Sequence, residues 1–166
     1  MLIYHPAYDA YHCIFRLLTL MEVVKNLEIA KARILDFFLI FPAEVRTIRL
    51  APALAGKKKQ AKKLVNIYHG PISVNQVFRD MEHIQMAAIQ ALAASNIINP
   101  DRLALGFIER TTTTLPQDIL SQVIEKNQVD NAVIQFILKE LSAFPLLGVD
   151  GLKHRTGLME YRYDNV

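Results

Sequence analysis

Apolar residues crowd one short segment of this 166-residue chain. Between Ile34 and Phe41, seven of eight side chains are large and apolar, and only Asp36 interrupts them. Arg33 precedes the run and Pro42 closes it. A helix that is apolar on every side needs cover on every side. The run is well short of the roughly 17–25 apolar residues that span a bilayer. The pattern therefore predicts a buried helix over about 27–41, ended by Pro42, with the other elements wrapped round it.

Periodicity places those other elements. Tyr8, Tyr11, Phe15 and Leu18 recur at steps of three and four, with Ile14, Leu17 and Val24 widening the stripe, which predicts an amphipathic helix over 8–25. Asp9, His12, Arg16 and Thr19 form its opposite stripe, read as a solvated or docking face, or as a small polar site of acid, imidazole and guanidinium. Residues 43–50 fit a short helix or the start of a strand equally well. Tyr68-His69-Gly70-Pro71 reads as a turn. A second long helix is predicted over 76–95, capped by Ser73 or Asn75 and stopped by Asn96 and the Asn99-Pro100-Asp101 turn. Residues 103–114, ending in four threonines, are β-rich, with Gly106 allowing a bend.

Thr114-Leu115-Pro116-Gln117 matches a capping box opening a helix to about 127. Asp130 is placed to cap the next helix, to about 142. In the tail, Met159, Tyr161 and Tyr163 alternate with Glu160, Arg162 and Asp164. That period of two predicts a half-buried strand, paired with 152–154 through a turn at Gly157.

The fold class expected is mainly α with small β-hairpins. A long helix, a turn and a ribbon in that order resemble a winged helix. Two arrangements fit: one compact domain over 1–166, or a subdivision into a winged-helix-like part (1–113) and a smaller one (114–166).

Apolar residues make up 52% of the chain and charged residues 21%. That excess over an average soluble domain implies either a large core or a surface covered by a partner. Cys13 is the only cysteine, so no intramolecular disulfide forms, and its place in the helical pattern predicts a small buried side chain. Met1–Pro6 lacks the positive segment and long apolar stretch of a secretory signal, and a cytoplasmic setting without membrane contact is expected.

The net charge of +3 is mild but unevenly placed. Lys57, Lys58, Lys59, Lys62 and Lys63 fall within seven residues. As a loop or frayed helix end they are merely solvated; as a functional patch they are candidates for contact with a DNA backbone, which lysine positions without reading bases.

Reactive constellations are missing from the pattern. His5, His12, His69, His83 and His154 have no ligand spacing. Glu82-His83 lacks the second histidine of a metalloprotease helix. Asp101 and Glu109 have the order of a nuclease pair, but Arg110 stands where a lysine is expected. No catalytic residue, metal or cofactor is assigned.

Three stretches carry a family resemblance: His5-Pro6-Ala7-Tyr8-Asp9-Ala10-Tyr11-His12-Cys13-Ile14-Phe15-Arg16, Arg33-Ile34-Leu35-Asp36-Phe37 through Phe41-Pro42, and Gly106-Phe107-Ile108-Glu109-Arg110-Thr111. They resemble the middle component of bacterial ABC-three-component systems, of which Lamassu-type anti-phage systems are an example. The resemblance implies a non-enzymatic adaptor held by an SMC-like or ABC-type ATPase that engages DNA, with an effector, often a nuclease, as third component. On that reading Asp9, His12, Arg16 and Arg110 are candidates for partner docking. The competing expectation is a stand-alone winged-helix regulator, with Gln76, Arg79, Gln85 and Gln90 on the helix that would meet bases.

Overall fold

The computed structural model describes residues 5–66 and 70–164. Helix α1 (Ala10–Val23) starts at Asp9, whose Oδ1 accepts the backbone N–H groups of Tyr11 and His12 at 2.8 and 3.2 Å. A two-residue strand, β1 (Leu27–Glu28), leads directly into α2 (Ile29–Ile40). Leu27 is therefore a strand residue rather than the first residue of the helix. It is drawn out by pairing opposite Ile108, and the N–H of Ile29 donates to the Gly106 carbonyl at 3.0 Å.

Helix α2 is the buried centre that the apolar run predicts. Ile34, Leu35, Phe37 and Phe38 are all closed to solvent. The Phe37 ring meets Phe38 edge-on at 5.3 Å, Phe41 at 5.1 Å and Phe78 at 6.0 Å between centroids. Pro42 ends the helix and opens a 3-10 turn (Pro42–Thr47), which settles the undecided stretch 43–50.

The lysine-rich segment is helix α3 (Ala55–Lys62), not a loop. Of the turn expected at 68–71, Tyr68 and His69 lie outside the described residues. The helix expected over 76–95 begins earlier and bends once, as α4 (Val74–Asp80) and α5 (Glu82–Ala94). Ser73 Oγ caps α4. The hydrogen-bond ladder passes through Met81, so the two pieces remain one rod with a kink. Asn96, at φ +57°, turns the chain out of α5, and Asn99 caps α6 (Pro100–Ala104).

Strand β2 (Phe107–Ile108) follows Gly106, whose φ of +87° suits glycine at this bend. β2 pairs antiparallel with β1, Leu27 opposite Ile108 and Glu28 opposite Phe107. On its other side Ile98 bridges Arg110, Asn99 N–H donates to the Glu109 carbonyl, and Thr111 N–H to the Ile97 carbonyl. Segment 107–111 thus lies between 27–28 and 97–99. The ribbon is smaller than the β-rich reading of 103–114 expected, because residues 103 and 104 belong to α6.

After residue 113 come α7 (Gln117–Asn127), α8 (Ala132–Lys139) and α9 (Leu152–Thr156). The capping box at Thr114 is not formed. Pro116 stays extended at ψ 144°, so the helix begins after it with no side-chain cap. Asn131, not Asp130, caps α8, its Oδ1 accepting the N–H groups of Val133 and Ile134.

The expected C-terminal hairpin is absent among the described residues. Residues 152–156 are helical, and Gly157 is the left-handed residue that ends α9, at φ +66°, donating its N–H to the Lys153 carbonyl at 2.9 Å. Met159–Asp164 forms no strand, and Tyr163 is exposed rather than half-buried. The second unit of a tandem winged-helix pair therefore lacks its ribbon. Helix α7 packs on α1, and α8 packs on α1, α2 and α3. Val123, Val133, Phe136 and Ile137 join the apolar cluster that holds Leu17 and Phe37, so buried packing runs across the 113/114 boundary.

Candidate functional site

On α3 the lysines divide by helical phase. Lys57 and Ala61, four residues apart, share one face. Ala61 is fully buried, and Lys57 reaches α8, where its Nζ lies 2.9 Å from Glu140 Oε1 and 5.3 Å from the centre of the Phe136 ring. Lys58, Lys59, Lys62 and Lys63 occupy the arc turned away from that face. None of the four has a carboxylate within ion-pair distance among the described residues. The five-lysine cluster thus divides into exposed Lys59, Lys62 and Lys63, half-buried Lys58 at their edge, and one packing lysine, Lys57.

The polar stripe of α1 is not the solvated face expected. Thr19 is buried and donates its hydroxyl to the Phe15 carbonyl at 2.8 Å. Arg16 points inward, its Nε 2.5 Å from Asp36 Oδ1, with Asp36 wholly enclosed. Asp36 Oδ2 accepts Gln85 Nε2 at 2.8 Å, and Gln85 Oε1 accepts Arg33 Nε at 3.0 Å. Arg33 also reaches Glu82 at 3.2 Å and lies over the Phe78 ring. This chain of charge-assisted bonds ties α1, α2 and α5 together. It explains the one acid in the apolar run: unpaired, a buried carboxylate would be strongly destabilising.

Cys13 lies against the same network, Sγ 3.9 Å from Asp36 Oδ2. Burial, and then the Asp36 charge, push its thiol up to about 12. It stays protonated near neutral pH and is not an activated nucleophile.

Asp9 and His12 remain together at the start of α1, 3.3 Å apart, with Asp9 also serving as the cap. Arg110 sits beside the ribbon, its guanidinium 2.5 Å from Glu22 Oε1 and 3.0 Å from the Thr113 carbonyl. The docking candidates are thus dispersed: Asp9 and His12 at one end of α1, Glu22-bound Arg110 at the other, and Arg16 inside.

Exposed apolar side chains are present. Leu64, Val65 and Ile72 stand in solvent and line a cleft of about 360 Å³ with Ile40, Phe41 and Pro42. Glu109, half of the nuclease-like pair, is held by Arg102 at 2.8 Å. Among the described residues no group of three or more His, Cys, Asp or Glu is placed to hold a metal ion, and no helix is long and apolar enough to cross a membrane.

The three stretches that carry the resemblance fold into the α1–α2 pair and β2. A family model described as ABC-three component (ABC-3C) system Middle Component 5 matches residues 2–164. The chain belongs to this family of middle components. No curated protein and no solved structure gives a match. Membership makes the chain one subunit of a multi-component system, with partner components in that system.

Reading the sequence alone missed Gln85 and Arg33 as parts of the network. Asp36 inside an apolar run was the available signal, since such a carboxylate demands cationic and amide partners. It also missed a group of arginines drawn from three distant segments, described below.

Proposed function

We propose that this middle component is a non-catalytic adaptor that bridges the ABC-type, SMC-like ATPase of its system to DNA and to an effector subunit, as in Lamassu-type anti-phage systems. The observation that carries the DNA contact is the α3 face of Lys58, Lys59, Lys62 and Lys63. Four ammonium groups along one side of a helix, none with a carboxylate in ion-pair distance among the described residues, suit phosphate contacts that position a duplex without reading it. The open cleft beside Leu64, Val65 and Ile72 suits an apolar partner surface. Arg16, Arg33, Asp36 and Gln85 bind one another inside the fold, which favours scaffolding over chemistry.

A stand-alone winged-helix regulator is the second reading. The strand order favours it: 27–28, then 107–111, then 97–99, with α1, α2 and α5 following the usual helix order of that fold. The residues that would read bases speak against it. Gln85 is buried in the Asp36 network, and Gln76 binds Asp80 and Arg79.

The test is reconstitution with the neighbouring ATPase and effector components. The adaptor reading expects a stable ternary complex whose duplex affinity falls when Lys58, Lys59, Lys62 and Lys63 are changed to Glu. A chain that stays a free dimer and binds one specific duplex sequence on its own would favour the regulator.

A further inference from the structure

Among the described residues, six of the nine arginines have a carboxylate within ion-pair distance: Arg16, Arg33, Arg46, Arg102, Arg110 and Arg155. The other three are Arg49, Arg79 and Arg162, and all three line one cleft of about 390 Å³. They come from distant parts of the chain: the segment after the 3-10 turn, the end of α4 and the segment after α9. The fold therefore gathers in one place the guanidiniums that have no acid partner among the described residues.

The remaining polar lining fits this charge. Asn75 and Tyr161 add neutral groups. Glu160 is the one carboxylate in the lining, and its Oε1 is turned back onto the N–H groups of Tyr161 and Arg162, at 3.0 and 2.8 Å. Asp80, beside Arg79, does not pair with it. Gln76 stands between them, accepting from Arg79 at 2.9 Å and donating to Asp80 at 2.7 Å. Arg49 rests against His154, 3.3 Å from its Nε2, and His154 meets the Tyr161 ring edge-on. Hydrogen bonding from Arg49 lowers the pKa of the Tyr161 phenol, as a local positive field should.

Guanidinium is the side chain suited to oxyanions, because its planar donors match phosphate geometry in pairs. Three such groups facing one polar cleft of ligand size carry a large unspent capacity for an anion. We propose that this cleft binds a phosphate group, presented by a nucleic-acid backbone or by a free nucleotide. The inference stands apart from the α3 lysines, since it uses none of them.

The test uses the whole chain with two probes: a mononucleotide followed by NMR of the arginine side-chain N–H groups, and a labelled duplex followed by anisotropy over a salt series. R79Q/R162Q is the first variant, because these two side chains make only local contacts; R49Q is the second. Thermal melting confirms that each is folded. The mononucleotide should shift the Arg49, Arg79 and Arg162 signals, and R79Q/R162Q should weaken its binding about tenfold or more.

If the backbone is the source, the duplex displaces the mononucleotide, and the double variant flattens the salt dependence by about two units of slope. If the free nucleotide is the source, duplex affinity stays unchanged while nucleotide binding is lost. Binding of neither probe, or equal binding by wild type and both variants, overturns the proposal. Duplex binding lost only on changing Lys58, Lys59, Lys62 and Lys63, together with mononucleotide binding unchanged in R79Q/R162Q and R49Q, would leave the α3 reading standing and this one refuted.

Discussion

Arg16 and Asp36, twenty residues apart in the chain, form an ion pair with a 2.5 Å contact that is closed off between α1 and α2. Removing Arg16 leaves the enclosed Asp36 carboxylate without its cation, with the Gln85 amide still beside it, and removing Asp36 leaves the largely buried Arg16 guanidinium without its carboxylate. Asp36→Ala and Arg16→Met should each cost about 3–5 kcal/mol in urea unfolding. The double variant Arg16→Met with Asp36→Leu should recover much of that loss, because a well-packed apolar pair can replace a buried ionic one. Additive losses in the double variant would show that the pair is not the reason these residues matter.

Cys13 makes the stability of the fold fall at high pH. Its pKa is raised from 9.0 to about 12 by burial and by Asp36. Below pH 9 the thiol is protonated in both folded and unfolded chains, so nothing is lost. Between about 9 and 12 the unfolded chain releases the proton while the folded one retains it, which favours unfolding progressively. Cys13→Ala should remove this component, giving a shallower decline in melting temperature across that window than wild type. Parallel declines would refute the assignment.

The two lysine roles on α3 should separate cleanly. Lys58, Lys59, Lys62 and Lys63 changed to Glu should leave the melting temperature nearly unchanged and weaken duplex binding by the complex, most at low salt. Lys57→Ala should do the reverse. It loses the Glu140 pair and the Phe136 contact, worth about 1 kcal/mol together, with little effect on DNA. Equal effects of both changes on binding would mean that the phase argument is wrong.

Phe37 is ringed by Phe38, Phe41 and Phe78 and closed to solvent. Phe37→Ala should cost about 3–5 kcal/mol, while Phe37→Leu, which keeps more of the volume, should cost clearly less. Calorimetry of the two variants would check the order.

Features fixed by local chemistry were readable from the chain. The apolar run announced a buried helix, Ser73 marked a helix start, and Asn96 marked a stop. What escaped was decided by distant partners. Leu27 left its helix because Ile108 offers a strand partner. The alternation of Met159, Tyr161 and Tyr163 had no strand to pair with, so α9 and its Gly157 cap prevailed. Arg16 read as a surface residue until Asp36 placed it inside. The cleft of Arg49, Arg79 and Arg162 has no sequence spacing at all, since three separate segments meet to form it.

One contact also speaks to how the chain is assembled in time. Arg49 donates its backbone N–H to the Arg155 carbonyl at 3.0 Å, and the Arg155 guanidinium returns a bond to the Arg49 carbonyl at 2.6 Å. This clasp closes a loop of 106 residues. Such non-local closure is slow, because its entropy is lost before any contact repays it. A nascent chain on the ribosome can complete α1 and α2 early, but cannot fasten this seam until residue 155 has been made. Closing this seam also brings Arg162 toward Arg49.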